Sequence, residues 1–182
     1  PLLFDPEGMD RSEVLALYEK LLLPRMIEEK MLSQLRQGNI SKWFSGIGPE
    51  AISVGVGAAM PIEDWILPMH RNLGVFTTRG IPLDRLFAQF KGKDHGFTKG
   101  RDRSFHFGSY EHKICGMISH LGPQLGIADG IALANKLDES GKATFVFTGD
   151  GGASEGDFHE AVNVATVWQL PVIIGIENNS WG

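Results

Sequence analysis

The sequence predicts a Rossmann-like, three-layer α/β domain with a parallel sheet, preceded by a helical arm. Two short, continuous apolar runs, at residues 143–147 and 170–176, are typical of strands buried on both faces, and a helical pattern lies between them. Strand, helix and strand in this order form a right-handed βαβ unit with parallel strands. A long helical pattern over residues 10–37 precedes every strand signal. We therefore divide the chain into an arm, residues 1–45, and an α/β domain, residues 46–182.

Composition limits the classes of protein to which the chain can belong. Of 182 residues, 42% are hydrophobic and 21% charged, which is enough for one domain with a core. The net charge of −5, without a dense Lys/Arg run, argues against nucleic-acid binding. No apolar run approaches the roughly 18–20 residues of a membrane span, and no signal-peptide pattern opens the chain. We expect Pro1 and Gly182 to be cut points of a longer chain, truncated at its C-terminus.

Cys115 is the only cysteine of the chain, so an internal disulfide is excluded. This fits a reducing compartment: the cytoplasm, or the mitochondrial matrix if the source is eukaryotic. Nothing in the neighbouring sequence indicates an activated thiol. We therefore interpret Cys115 as a small packing residue.

The arm begins with a helix signal and contains one helix breaker. Asp10 and Glu13 have the spacing of a capping box, and apolar residues then recur at helical intervals until Gly38. Pro24 lies within this pattern and is expected to kink or split the helix.

Between the arm and the βαβ unit, the pattern predicts two helices, a short strand and a turn. In chain order these are a helix over residues 51–60, a buried strand over 64–68, a polar turn over 69–72 and a helix over 82–90. Pro49 favours the start of the first of these helices. Residues 91–117 are rich in glycine and charge with weak periodicity, which predicts a long and functional loop.

The βαβ unit is preceded by a helix over residues 125–137, whose glycines and alanines form a thin face. After the first buried strand comes Gly149-Asp150-Gly151-Gly152. A helix is predicted from Ser154, with Asp157 in the capping-box position. The second buried strand then ends at Glu177-Asn178-Asn179.

Two oxygen-bearing side chains follow the two strands of this unit. Asp150 lies just past the first strand and Asn179 just past the second. Parallel strands place their carboxyl ends at one edge of the sheet, where ligands of α/β folds bind. A carboxylate and an amide oxygen are too few to enclose a metal ion alone. Mg²⁺ suits such a site, because it takes its remaining ligands from water and phosphate.

The glycines beside Asp150 favour a phosphate ligand. Gly151 and Gly152 let the backbone approach a phosphate closely, and the following helix start offers free N–H groups. The alternative is a tight strand-to-helix turn without a ligand. The Asn178-Asn179 pair on the next strand favours a diphosphate bridged to the protein by Mg²⁺.

These motifs resemble those of a known family. Gly149-Asp150-Gly151, followed by Asn178-Asn179, is similar to the thiamine diphosphate signature. Three further stretches resemble the alpha subunit of the decarboxylating component of 2-oxoacid dehydrogenase complexes: residues 152–157, residues 69–74, and Gly100-Arg101 followed by His106. The sequence of residues 152–157 resembles that of the branched-chain (2-oxoisovalerate) members, whereas Glu177 before the Asn pair is more similar to the pyruvate members. The resemblance covers nearly the whole chain and assigns residues 46–182 to the diphosphate-binding domain.

The resemblance implies a set of metal and diphosphate contacts. Asp150, the Asn179 side chain and the Trp181 main-chain carbonyl would ligate Mg²⁺. The backbone amides of Gly151 and Gly152 would hold the diphosphate.

Further cofactor contacts are implied outside the metal ligands. Gly149 opens the signature, and Arg71 would pair with a phosphate oxygen, as guanidinium geometry favours. His70 would lie beside it, at a position where the family usually has a tyrosine.

A third segment would cup the aminopyrimidine ring. Ser119, Leu121 and Gly122 match it, with Leu121 supporting the bent cofactor. His120 adjoins these residues and is the one candidate for a catalytic role. We interpret His106 and His112 as loop or packing histidines.

The resemblance also implies partners. The family's catalytic Glu belongs to a beta subunit or beta half, and a later His-containing loop lies beyond Gly182. We therefore expect these residues alone to be inactive and to bind cofactor weakly. The implied reaction is oxidative decarboxylation of a 2-oxoacid, with acyl transfer to a lipoyl acyltransferase component. No membrane partner is expected.

Three alternatives are considered. A pyruvate or acetoin dehydrogenase alpha subunit would use the same cofactor. A nicotinamide dehydrogenase is disfavoured, because no G-x-G-x-x-G opens a βαβ unit. A non-catalytic assembly module would have lost the cofactor, against which the intact Asp150 and Asn179 argue.

Overall fold

A parallel three-stranded sheet, ordered β1-β2-β3, forms the centre of the computed structural model, which describes residues 8–182. The strands are β1 (Trp65–Leu67), β2 (Thr144–Gly149) and β3 (Val172–Glu177). The helices are α1 (Arg11–Arg36), α2 (Glu50–Ala59), α3 (Leu73–Thr78), α4 (Leu83–Phe90), α5 (Leu121–Leu137) and α6 (Gly156–Val167), with a 3₁₀ turn at Gly152–Ser154. This confirms the predicted α/β class with a parallel sheet.

The two faces of the sheet bury different sets of side chains. Because residues alternate along a strand, Val146 points to one face and Phe145 and Phe147 to the other. Val146 packs with Leu125 and Ala161, so α5 and α6 cover its face. The opposite face is covered by α3, α4 and an aromatic loop. Its buried residues include Phe76, Phe90, Phe105 and Phe107. The sheet therefore lies between two layers, as the three-layer prediction requires.

Part of the long loop over residues 91–117 lines the outer edge of β1. The Ile66 N–H donates to the Lys113 carbonyl at 2.9 Å, and the Cys115 N–H donates to the Ile66 carbonyl at 3.0 Å. Cys115 is half-buried, and this burial raises the pKa of its thiol. These contacts agree with a packing role for the cysteine.

Helix α1 begins as predicted and ends at Arg36, close to the predicted stop at Gly38. The Asp10 carboxylate accepts the Glu13 N–H at 2.8 Å, and the Asp10 N–H donates to Glu13 at 3.0 Å, which confirms the capping box. Of the kink or split expected at Pro24, the split does not occur: the helix runs continuously through this buried residue. Ile27 and Met31 join the main core, and their burial holds the second half of the helix in place.

The division of the chain at residue 45 stays a prediction, and residues 1–7 of the predicted arm lie outside the described residues. Within residues 8–182, no helix has both the length and the apolar character needed to span a membrane.

Three helices differ from the prediction. Helix α3 was missed: a turn was predicted over residues 69–72, and no element was predicted for the six residues that follow. Helix α5 begins at Leu121 rather than at residue 125, and Pro123 fits there because first-turn N–H groups have no intrahelical acceptor. The predicted capping box of α6 is wrong. Glu155 is the N-cap without a side-chain bond, and the Ser154 hydroxyl donates to the Asp150 carbonyl at 3.3 Å.

A buried carboxylate joins α1 to the segment that follows it. Glu28 has no exposed surface, and its oxygens accept three hydrogen bonds. The donors are the Trp43 indole N–H at 2.7 Å, the Ser45 hydroxyl at 3.0 Å and the Gly46 N–H at 2.8 Å. Glu28 therefore determines the path of residues 43–46.

We expect Glu28→Ala to lower the free energy of unfolding by about 2–4 kcal/mol, because it leaves buried donors without acceptors. The measurement is chemical denaturation followed by tryptophan fluorescence. The neighbouring exposed Glu29→Ala is the matched control and should change this free energy by less than about 0.5 kcal/mol. Equal effects of the two substitutions would contradict the role given to Glu28.

Candidate functional site

The register of β2 and β3 places their ends at one edge of the sheet. Gly149 pairs with Glu177, so Asp150 and Asn178 leave the two strands side by side. Residues 178–182 then fold back, and the Gly182 N–H donates to the Asp150 carboxylate at 2.7 Å. The Asn179 side-chain oxygen accepts the Trp181 N–H at 3.2 Å. The structure thus brings the segment carrying Asn179 to the same edge as Asp150, while their role as ligands stays a prediction.

Asp150 has the electrostatic character that a metal ligand needs. The hydrogen bond from the Gly182 N–H, helped by other backbone N–H groups, lowers the pKa of this carboxyl against a smaller effect of burial. Hydrogen bonds to the charged form favour ionisation, so the group is a carboxylate at neutral pH.

No cluster of three His, Cys, Asp or Glu residues that could hold a metal ion occurs between residues 8 and 182. The predicted ligand set contains one such residue, Asp150. The other two ligands are the amide oxygen of Asn179 and the main-chain carbonyl of Trp181, and the Trp181 side chain is 90% exposed. The lack of an acidic, His or Cys cluster among residues 8–182 is therefore compatible with this ligand set.

The glycines after Asp150 form a tightly packed turn. A Cβ atom at Gly152 would overlap the Thr148 hydroxyl, and one at Gly151 would lie 3.3 Å from the Cα of Gly182. The following segment is a short 3₁₀ turn rather than the expected helix start at Ser154. The close packing gives both positions a structural reason to be glycine, and the approach of a phosphate to them stays a prediction.

A buried amide that the sequence analysis missed holds the end of β1. Gln124, 1% exposed, donates from its side chain to the carbonyls of Leu67 at 3.1 Å and Pro68 at 3.2 Å. These bonds connect α5 to the chain as it leaves the strand. The available signal was a polar side chain in a run of small and apolar helix residues.

A second missed amide closes the turn after β1. Asn72 is 1% exposed; its side-chain oxygen accepts the Met69 N–H at 2.7 Å, and its amide nitrogen donates to Glu177 at 2.5 Å. Burial raises the pKa of Glu177, and the bond from Asn72 and the charge of Arg71 act against this effect. Asn72 was assigned to a polar turn, and nothing in its local sequence indicates a partner 105 residues away.

His70 and Arg71 lie together within this turn. The Arg71 guanidinium is 3.2 Å from His70 Nε2, and the His70 ring packs edge-on against Phe44 with 5.0 Å between ring centroids. Burial, followed by the charges of Arg71 and His106, lowers the pKa of His70 to about 4. His70 is therefore neutral at neutral pH and contacts its surroundings as a neutral ring.

The segment predicted to contact the aminopyrimidine ring, residues 119–122, leads into the first turn of α5. Ser119 accepts or donates a hydrogen bond with His106 Nε2 at 2.8 Å, so His106 contacts a predicted site residue. Leu121 and Gly122 start the helix, and His120 is exposed at its N-cap without a side-chain capping bond. A Cβ atom at Gly122 would lie 2.5 Å from carboxylate oxygens of both Glu155 and Asp157, which the sequence analysis did not foresee.

A cavity of about 450 Å³ adjoins this region. His70 and His106 both line it, with Phe90 and Phe105 among its buried apolar residues. His112 lies elsewhere and bonds Ser109 at 2.8 Å, in agreement with its predicted loop role.

The low pKa of His70 leads to a pH dependence. Folding favours the neutral ring, so the unfolded chain binds more protons between pH about 4 and 6.5, and the contribution of His70 to stability is lost as the pH falls through this range. NMR titration of the ring should give a pKa of about 4. In Arg71→Gln the pKa should rise but stay below 6.5, because burial is the larger cause. Arg85→Gln, on α4, should leave it unchanged, and a pKa near 6.5 in the unsubstituted protein would contradict the prediction.

Comparison with known proteins identifies relatives over nearly the whole chain. The model of the family described as "Dehydrogenase E1 component" matches residues 18–182. The chain is 35% identical to 2-oxoisovalerate dehydrogenase subunit alpha 1, mitochondrial, of Arabidopsis thaliana, over 97% of this chain and 38% of that protein. It is 36% identical to 2-oxoisovalerate dehydrogenase subunit alpha of Bacillus subtilis, over 96% of this chain and 53% of that protein.

A pyruvate dehydrogenase relative is similar to the same degree. The chain is 35% identical to pyruvate dehydrogenase E1 component subunit alpha of Zymomonas mobilis, over 94% of this chain and 49% of that protein. It thus spans about two fifths to one half of the length of these relatives. The family match over residues 18–182 and the parallel sheet agree with the resemblance of the motifs, and the chain belongs to the dehydrogenase E1 component family.

Proposed function

We propose that this chain forms the magnesium- and diphosphate-binding part of a thiamine diphosphate-dependent 2-oxoacid dehydrogenase. The observation that carries the proposal is the common edge of β2 and β3. There an ionised Asp150 contacts the backbone of the segment that also carries Asn179. Membership of the dehydrogenase E1 component family supports the assignment.

The residues at this edge divide into ligands for a cation and contacts for a phosphate. Asp150, the Asn179 amide oxygen and the Trp181 carbonyl supply three hard oxygen ligands, which leave positions on Mg²⁺ for water and phosphate. The tightly packed glycine turn at Gly151 and Gly152 presents its backbone to the diphosphate.

A separate group of residues contacts the remainder of the cofactor. Arg71 pairs with a phosphate oxygen, and His70, which is neutral, contributes a hydrogen bond rather than a charge. Ser119, Leu121 and Gly122 face the aminopyrimidine. When bound, thiamine diphosphate supplies the carbanion chemistry by which a 2-oxoacid loses CO₂.

The partners are a beta subunit, or a beta half of the same polypeptide, and a lipoyl acyltransferase component that accepts the acyl group. The substrate we favour is a branched-chain 2-oxoacid, because residues 152–157 resemble that branch and relatives named for 2-oxoisovalerate span most of this chain. Pyruvate is the second candidate, supported by Glu177 and by the Zymomonas relative. Acetoin is a further alternative with the same cofactor.

Calorimetry of thiamine diphosphate with Mg²⁺ on the full-length assembly tests the metal assignment. We expect Asp150→Ala to weaken binding at least about a hundredfold, because it removes the charged ligand of the cation. The matched control is Asp138→Ala, at the far end of α5, which should bind like the unsubstituted protein. Equal binding by Asp150→Ala would contradict the metal assignment. No binding by any of the three proteins would favour a non-catalytic assembly module.

Turnover of competing substrates tests the branch. On the same assembly, kcat/KM for 2-oxoisovalerate should exceed that for pyruvate by at least about tenfold, the ratio that contacts to two extra methyl groups allow. A ratio below one would assign the chain to the pyruvate branch instead.

A further inference from the structure

A buried hydrogen bond crosses the edge of the sheet where the proposed cofactor binds. Asn72 follows β1 and Glu177 ends β3, and β2 lies between these two strands. The Asn72 amide donates to the Glu177 carboxylate at 2.5 Å, and the two residues are 1% and 8% exposed. This contact therefore joins two strand ends that the hydrogen bonds of the sheet leave unconnected.

The Asn72 side chain has a single arrangement that satisfies both of its ends. Its oxygen accepts the Met69 N–H at 2.7 Å while its nitrogen donates to Glu177. The Asn72 N–H also donates to the Met69 carbonyl at 3.2 Å, which closes the turn. His70 and Arg71 are the two residues inside this closed turn, so their backbone positions follow from the Asn72 contacts.

The turn also packs against a segment that a buried carboxylate holds in place. Gly46, whose N–H donates to Glu28, packs so closely that a Cβ atom there would overlap the Arg71 carbonyl oxygen. The turn is therefore in contact both with the segment placed by Glu28 and with the bond between Asn72 and Glu177. A guanidinium binds phosphate through a fixed fork of N–H groups, so its affinity depends on where its backbone is held.

We propose that Asn72 and Glu177 are positioning residues that hold Arg71 at the cofactor edge, in register with the Asp150 and Asn179 strand ends. The inference rests on the proposed function, because it takes the diphosphate as the ligand of Arg71. Glu177 suits the task because Asn178 and Asn179 follow it directly in the chain. One carboxylate thereby links the turn that contacts phosphate to the segment that contacts the cation.

The test exchanges the donor and the acceptor of this bond in the full-length assembly. Asn72→Asp keeps the size of the side chain and its bond to the Met69 N–H, but it places two carboxyl groups in contact. The Kd for thiamine diphosphate, measured by calorimetry at saturating Mg²⁺, should rise about tenfold or more. This is the expected cost of losing the hydrogen bond from Asn72 to the Glu177 carboxylate. Adding Glu177→Gln restores a donor, and the double variant should bind within about threefold of the unsubstituted protein.

A double-mutant cycle with Arg71→Ala separates positioning from general loss of stability. If Asn72 acts through Arg71, Asn72→Asp raises Kd about tenfold in the unsubstituted protein but changes it by less than about threefold in Arg71→Ala. Independent, multiplicative losses would overturn the proposal. An unchanged Kd in Asn72→Asp would also overturn the proposal.

The matched control is Asn135→Ala, which removes a side-chain bond to Thr144 at the opposite end of β2. It should lower the unfolding temperature of the cofactor-free protein without changing Kd. If it raises Kd as much as Asn72→Asp does, the effect is one of stability and the proposal fails. Failure of the unsubstituted assembly to bind thiamine diphosphate would instead refute the proposed function.

Discussion

The parallel register of β2 and β3 is the constraint on which the candidate site depends. Pairing of Gly149 with Glu177 makes both strands end at the same level, so the residues that follow must share one edge. A shift of one residue would turn every side chain of a strand to the other face, so Phe147 would meet the small residues of α5 and α6 that now pack against Val146. The hydrophobic core on the two faces thus determines where Asp150 lies, although Asp150 contributes nothing to that core.

Buried polar side chains then determine the path of the chain beyond the strands. Loops carry their own backbone groups away from the sheet, and such groups must find partners when they are buried. Three side chains meet this need around the first strand. Gln124 donates to the backbone carbonyls at the end of β1, and Asn72 closes the turn that follows. Glu28 holds the segment that packs against this turn. Helix α1, predicted as part of a separate arm, therefore contributes directly to the geometry near Arg71.

The fold could be predicted from the sequence wherever the signal is local. The capping box at Asp10 and the two continuous apolar strands depend on neighbouring residues, and they appear as expected. Helix α3 was missed because it has only six residues and follows a turn-like stretch. The predicted start of α5 lies four residues too late, because Pro123 stands in the first turn, where a helix tolerates proline.

Contacts distant in sequence are the part that could not be predicted. The bond between Asn72 and Glu177 spans 105 residues, and the approach of Glu155 and Asp157 to Gly122 depends on how α6 leaves its 3₁₀ turn. Neither contact leaves a periodic pattern in the chain. The resemblance to a family predicted individual site residues, but it did not predict which buried side chains hold them in place.

The balance of charge at this edge gives a physical reason for the proposed pairing of a cation with an arginine. Four carboxyl groups lie near the strand ends, at Asp150, Glu155, Asp157 and Glu177, and Arg71 is the cation that the structure places beside one of them. A diphosphate brought to this edge meets repulsion from the carboxylates unless positive charge is added. In the proposed site, a divalent ion on Asp150 would supply that charge at the strand ends, and Arg71 would supply it at the turn. Metal and diphosphate should therefore bind as one unit, each stabilising the other.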